Sequence, residues 1–153
     1  MRFARILCPV DFSARSRHAA SVADSIAARD GSTLTLLYAH NAPPMPVIGF
    51  DYVEDAKVDD RYVAVAEREL KAWAAAMQTP AERIRVEVVI GEPVAVIDEA
   101  SKGHDLVVMS THGRTGISRF MLGSVAERVS RGAECSVLIV KDAKAAPADE
   151  VAR

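Results

Sequence analysis

Three stretches of this sequence carry residues that could hold a small anionic ligand. Pro9-Val10-Asp11-Phe12-Ser13 puts a carboxylate just past an apolar run. Ser110-Thr111-His112-Gly113 is followed by nine residues, Arg114 to Leu122, and then by Gly123-Ser124. The third stretch is Tyr38-Ala39-His40. Gly113 and Gly123 let the backbone approach a ligand closely. A helix opening near Ser124 would present unpaired N–H groups and the positive end of its dipole, which together suit a phosphate. Ser124 can donate its hydroxyl to that anion or cap the helix when no ligand is present. Local charge agrees, because residues 111–131 hold Arg114, Arg119, Arg128 and Arg131 against Glu127, a net +3. Residues 51–60 carry five acids against Lys57, a net −4. Asp11 has two readings. It can accept a hydrogen bond from a ribose hydroxyl or assist a magnesium ion that bridges phosphates, or it can cap the first helix.

Other chemistry finds less support. His112 lies inside the loop, where a structural hydrogen-bonding role outweighs catalysis. His18, His40 and His104 have no metal-ligand spacing. Cys8 and Cys135 stand far apart without paired-cysteine spacing, as reduced, buried thiols of a cytoplasmic protein would. A Walker-type loop is absent, since no Gly-Lys-Ser or Gly-Lys-Thr triplet occurs.

The elements that must position these residues follow from the period of the apolar side chains. Ile6 to Val10 reads as a strand. Ser13 can cap a helix with an apolar face of Ala19, Val22, Ala23, Ile26 and Ala27, stopped by Asp30-Gly31. Thr33 to Ala39 is a second strand. Asn41 to Val58, broken by Pro43, Pro44 and Pro46, reads as a loop or lid. Tyr62, Ala66, Leu70, Trp73 and Met77 form the stripe of a helix that ends before Pro80. Ile84 to Ile90 reads as a strand near a sheet edge. Gly91-Glu92-Pro93 turns into a short helix with Val94, Ile97 and Ala100 inward. Leu106 to Met109 is a fourth strand, Ser124 to Arg131 a helix closed by Gly132, and Val137 to Val140 a fifth strand. Alternating strands and helices predict an α/β domain with a parallel sheet, built from right-handed crossovers and covered on both faces. Ligands of such Rossmann-like sheets bind beyond the carboxyl ends of the strands, where the strand order reverses.

With this pattern in view, the sequence resembles the universal stress protein family from Ile6-Leu7-Cys8-Pro9-Val10-Asp11-Phe12-Ser13 to Val137-Leu138-Ile139-Val140. Its most specific part is Ser110-Thr111-His112-Gly113-Arg114-Thr115-Gly116, continued by Phe120-Met121-Leu122-Gly123-Ser124-Val125-Ala126-Glu127-Arg128-Val129. This looks like the nucleotide-binding pattern of the ATP-binding branch: glycine, two residues, glycine, nine residues, glycine, then serine or threonine. Gly113, Gly123 and Ser124 fall in register, while Ser110 stands in place of the first glycine. If a positive φ is needed there, serine costs about 1–2 kcal/mol. If only close approach is needed, serine is tolerable and adds a donor.

The resemblance implies bound ATP, with Asp11 facing the ribose and phosphates, and leaves open whether Mg²⁺ accompanies the phosphates. The backbone around Val10 and Ala39 would edge the adenine, Met109, Ser110, Arg114 and Val125 would line the same cleft, and Pro9 belongs to the same nucleotide-binding set. It also implies a single-domain open five-stranded sheet ordered 3-2-1-4-5 over residues 1–141, with 142–153 a frayed tail. A further implication is a homodimer in which the last strands, Val137, Leu138, Ile139 and Val140, pair between subunits. The expected role is a stress-response module regulated by nucleotide occupancy.

Composition bounds the alternatives. The 153 residues suit one domain, and 50% hydrophobic with 26% charged residues fits neither a disordered chain nor a membrane protein. A net charge of −2 and 5% aromatic residues argue against a nucleic-acid partner. Pro9 and Asp11 interrupt the first apolar stretch too early for a signal peptide, and no apolar run has membrane-spanning length. A slow ATP hydrolase would have only Asp11 and His112 to offer as catalytic groups. A phosphorylation receiver is invited by Asp11 and Lys141 but fails at Val89-Ile90-Gly91, which offers no acceptor aspartate. A family member that dimerises without nucleotide is left open by Ser110.

Overall fold

A computed structural model describes residues 2–41, 55–111 (side chains from residue 60) and 122–141. Nine main elements alternate: β1 (Arg5–Pro9), α1 (Ala14–Asp30), β2 (Thr33–His40), α2 (Asp55–Ala75), β3 (Ile84–Ile90), α3 (Pro93–Ser101), β4 (Leu106–Ser110), α4 (Ser124–Gly132) and β5 (Ser136–Val140). All the strands pair in parallel, in the order β3-β2-β1-β4-β5. The expected α/β architecture and strand order are therefore the ones observed. Of the stretch expected to be a loop or lid, residues 42–54 lie outside the described residues, as does the tail from Asp142.

The strands sort their side chains by parity, as a pleated sheet must. Ile6, Cys8, Val10, Leu34, Leu36, Leu106 and Val108 pack on one face with Ala20, Ala23 and Ala27 of α1 and Leu70 and Trp73 of α2. Leu7, Leu37, Val107 and Met109 pack on the other face with Val94 and Ile97 of α3 and Ala126 and Val129 of α4. Two half-cores thus share one sheet, and burial on both faces explains why the central strands read as continuous apolar runs. Cys8 is fully buried there, and burial pushes its thiol up to about 12.

The helix ends follow local chemistry. Ser13 caps α1, its Oγ accepting the Ser16 N–H at 3.1 Å. The alternative in which Asp11 serves as that cap does not occur. Gly31 ends α1 at φ 74°, a left-handed conformation that suits glycine. Gly132 closes nothing by conformation. It lies within α4, and a Cβ there would fall 2.5 Å from the Asp98 carboxylate of α3, so it serves the close approach of the two helices.

Two expectations shift. On α1 the buried face also includes Ser16, Ala20 and Asp24, while Val22 and Ile26 are half-buried. Asp24 is buried because its carboxylate accepts the Gln78 and Thr79 N–H groups, each at 2.8 Å, tying the segment after α2 to α1. On α2 the helix begins at Asp55, well before the apolar stripe, and ends at Ala75 rather than reaching Met77. Ala76 and Met77 instead donate to the Trp73 and Ala74 carbonyls in a tightened last turn.

Candidate functional site

The strand order reverses between β1 and β4, and the ladder there is short. These strands share two registered pairs, Ile6↔Leu106 and Leu7↔Val107, whereas β1 with β2 and β4 with β5 each share five. Their amino ends are tied further by the Asp105 N–H, which donates to the Arg5 carbonyl at 2.9 Å. The registered pairing stops at Leu7 and Val107, because Pro9 has no N–H to carry it on. The carboxyl end of this seam is where sheets of this kind have their ligand crevice.

The β1 side of the crevice is tightly specified. Val10 N–H extends the ladder by donating to the Leu37 carbonyl at 2.9 Å. Asp11 N–H donates to Ser16 Oγ at 3.3 Å, and Ser13 N–H donates to Asp11 Oδ1 at 3.0 Å. Ser16 Oγ itself donates to the Ser13 carbonyl at 3.0 Å. A carboxylate has about four lone-pair sites, so Asp11 keeps capacity for a ligand hydroxyl. Between Asp11 and Ser13, Phe12 adopts φ 64°, and no other non-glycine residue among those described has positive φ. For such a residue this conformation costs about 1–2 kcal/mol. The Phe12 ring lies 4.8 Å from Tyr38 and 5.7 Å, edge-on, from Trp73.

On the β4 side, Met109 is buried and Ser110 is half-buried, paired in the ladder with Val140. Ser110 has no positive φ, so the strain weighed for serine at this position does not arise. Thr111 N–H donates to the Val140 carbonyl at 3.3 Å, and Gly123 N–H donates to the Thr111 carbonyl at 2.7 Å. The end of β4 and the start of α4 are thereby pinned together. His112, Gly113 and Arg114 lie outside the described residues.

The start of α4 differs from those of α1 and α3. In α1 the cap is Ser13, and in α3 Glu92 Oε2 accepts the Ala95 N–H at 2.8 Å. Gly123 caps α4 in an extended conformation with no side-chain bond. The first-turn N–H groups, beginning with Ser124 and Val125, therefore offer an anion their hydrogen bonds and dipole. Ser124 is exposed, and Val125 packs half-buried against the α3/α4 half-core. The arginines of α4 contribute less than the local charge suggests. Arg128 pairs with Glu92 at 3.3 Å and Arg131 with Glu127 at 2.9 Å. Glu92 is held below the usual carboxylate range, first by the Ala95 N–H and further by Arg128.

The structure thus gathers Pro9, Val10 and Asp11 with Ala39 at the neighbouring end of β2, and Met109 and Ser110 with Gly123, Ser124 and Val125 at the end of β4. Sequence reasoning missed Ser16 and Phe12. The Asp11-x-Ser13 spacing is an Asx-turn signal that pointed to the turn, whereas nothing in a phenylalanine signals left-handed backbone. Among the described residues, no three His, Cys, Asp or Glu side chains gather as a metal site, and no helix is long and apolar enough to cross a membrane.

Comparison with known proteins agrees with this fold. Universal stress protein MJ0531 of Methanocaldococcus jannaschii is 32% identical over 150 residues, covering 93% of this chain and 84% of that protein. The solved universal stress protein UspA from Lactobacillus plantarum superposes with a TM-score of 0.76 at 27% identity, covering 92% of this chain and 99% of the other. A universal stress protein solved in complex with cAMP superposes with a TM-score of 0.65 at 26% identity, covering 92% and 98%. The model of the universal stress protein family matches residues 2–141, and this chain belongs to that family.

Proposed function

We propose that this protein binds a nucleotide, ATP foremost, in the crevice between β1 and β4, and that occupancy regulates a dimeric stress-response module. The observation that supports the reading is the start of α4, whose glycine cap supplies no side-chain acceptor, pinned beside the end of β4. Phosphates would take the N–H groups of α4 and the hydroxyl of Ser124, with Gly113, Gly123 and Arg114 completing the cradle. Asp11 would accept from the ribose. Pro9, Val10, Ala39, Met109, Ser110 and Val125 would enclose the base and sugar. A single carboxylate fits a Mg²⁺ held mainly by phosphates and water. Occupancy regulates only if the ligand binds two conformations with different affinity.

The relative solved with cAMP favours a cyclic nucleotide as the second reading. Mass spectrometry of gently purified protein and calorimetry with ATP, AMP and cAMP, with and without Mg²⁺, test both. We expect ATP to bind, and Asp11→Ala to weaken it about tenfold, the loss of one charge-assisted hydrogen bond worth about 1.4 kcal/mol. Preference for cAMP would support the second reading. No co-purified nucleotide and no heat with any of the three would overturn both and leave a dimer without nucleotide. Steady-state turnover abolished by Asp11→Ala or His112→Ala would replace binding with slow hydrolysis.

The dimer is proposed through β5, an edge strand with Leu138 exposed and Val137, Ile139 and Val140 half-buried. Such an apolar edge invites pairing with a second copy. Residues 142–153 would then form a solvated tail beyond the 1–141 domain.

A further inference from the structure

We propose that Phe12 is a positioning residue for the ligand. Its ring, anchored among aromatic side chains on the α1/α2 face, holds the backbone that aims the Asp11 carboxylate at the crevice. This deepens, and rests on, the nucleotide reading above.

The chain has four residues, Val10 to Ser13, in which to turn from β1 into α1. Val10 still belongs to the sheet, since its N–H donates to Leu37. Ser13 already belongs to the helix as its extended cap, φ −72° and ψ 159°. The change of direction therefore falls on Asp11 and Phe12, and Phe12 takes it in the left-handed region. Glycine would adopt that conformation freely, whereas phenylalanine keeps it only while its surroundings over-determine it.

The surroundings are specific. Tyr38 and Trp73 flank the ring, and Trp73 is in turn fixed by Nε1 donating to Glu69 Oε1 at 3.0 Å and by the Arg17 guanidinium 4.2 Å over its face. Arg17 and Glu69 pair at 3.6 Å, closing the arrangement between α1 and α2. Were the ring lost, φ at residue 12 would relax to negative values, and the amides on either side would swing. Both bonds that aim Asp11 would go with them: Ser13 N–H to its Oδ1, and its own N–H to Ser16 Oγ. The ring acts through the carboxylate and needs no contact with the nucleotide.

A double-mutant cycle tests this. The unaltered protein, Phe12→Ala, Asp11→Ala and the double variant are titrated with ATP by calorimetry, with urea unfolding in parallel to follow the fold. Phe12→Ala should weaken ATP binding about fivefold or more in the presence of Asp11 and less than about twofold in the Asp11→Ala background, since coupled residues are non-additive. Phe12→Tyr, which keeps the ring, should recover most of the affinity. If Phe12→Ala does not fold, Phe12→Leu carries the same comparison with a smaller loss. Equal loss in both backgrounds, or unchanged affinity in a folded Phe12 variant, would overturn the proposal while sparing the nucleotide reading. An unaltered protein that binds no nucleotide would overturn both.

Discussion

Asp105 shows how a single carboxylate fastens the end of the sheet opposite the candidate site. Its Oδ2 accepts the Arg5 and Ala4 N–H groups at 2.8 and 3.1 Å, and its Oδ1 meets the Arg5 guanidinium at 3.2 Å. The Arg5 N–H, then the Arg5 side chain and the Ala4 N–H, hold its carboxyl below the usual carboxylate range. An unfolded aspartate titrates near about 3.9. The folded state therefore binds fewer protons just below that pH, and the stabilisation is complete above it and fades as pH falls through the folded value. Asp105→Asn should lower the urea midpoint at neutral pH, and the two proteins should converge in strong acid. A gap that persists in acid would point to a different origin. At this scale the candidate site was partly legible. Asp11 and Ser13 announce a turn by type and spacing, but the sequence held no sign of the Phe12 conformation, because it is imposed by Tyr38 and Trp73, which lie far away in the chain.

At the scale of elements, α4 bears most directly on ligand binding. Its glycine cap supplies no side-chain acceptor, at some cost to the isolated helix, and in the proposed reading the first-turn N–H groups serve a ligand instead. Gly123→Asp should supply the missing side-chain acceptor and raise stability by a few tenths of a kcal/mol, about the difference between glycine and a good cap. The same carboxylate would occupy and repel the phosphate site, so nucleotide affinity should fall steeply in the same variant. Parallel unfolding and calorimetry check this opposition, and loss of both stability and binding would count against it. The elements themselves were legible wherever burial imposes a period. Ile84–Ile90 matches its expected bounds, and β1, β2, β4, α4 and β5 shift by a residue or so at an end. α2 was read from Tyr62 because its first turns lack the stripe from which a helix is recognised, so its start at Asp55 had no signal. The buried Asp24 also broke the expected face of α1, because its partners at Gln78 and Thr79 are distant in sequence.

For the whole molecule, the sheet has two edges, β3 and β5, and the proposed assembly uses one of them. Leu138→Arg should put a charge on the β5 edge and shift a dimer toward monomer in light scattering, with nucleotide affinity followed alongside. An unchanged mass would move the interface elsewhere. The whole-chain order of the strands was legible only through the family resemblance. Alternation of strands and helices predicts parallel crossovers but does not say where the direction of winding reverses. That reversal also has a consequence for how the protein breathes. With two registered pairs between β1 and β4, the sheet is a three-strand leaf and a two-strand leaf joined at one end, as pages are at a binding. Partial opening on the way to unfolding should start at the free margin and run toward Asp105, exposing the Val108 amide on the β1 side of β4 to exchange with solvent before the amides shared by β1 and β2. The proposed nucleotide, lodged between the leaves, would clasp them, so the sparse pairing would put the protein's local stability in that guest's keeping.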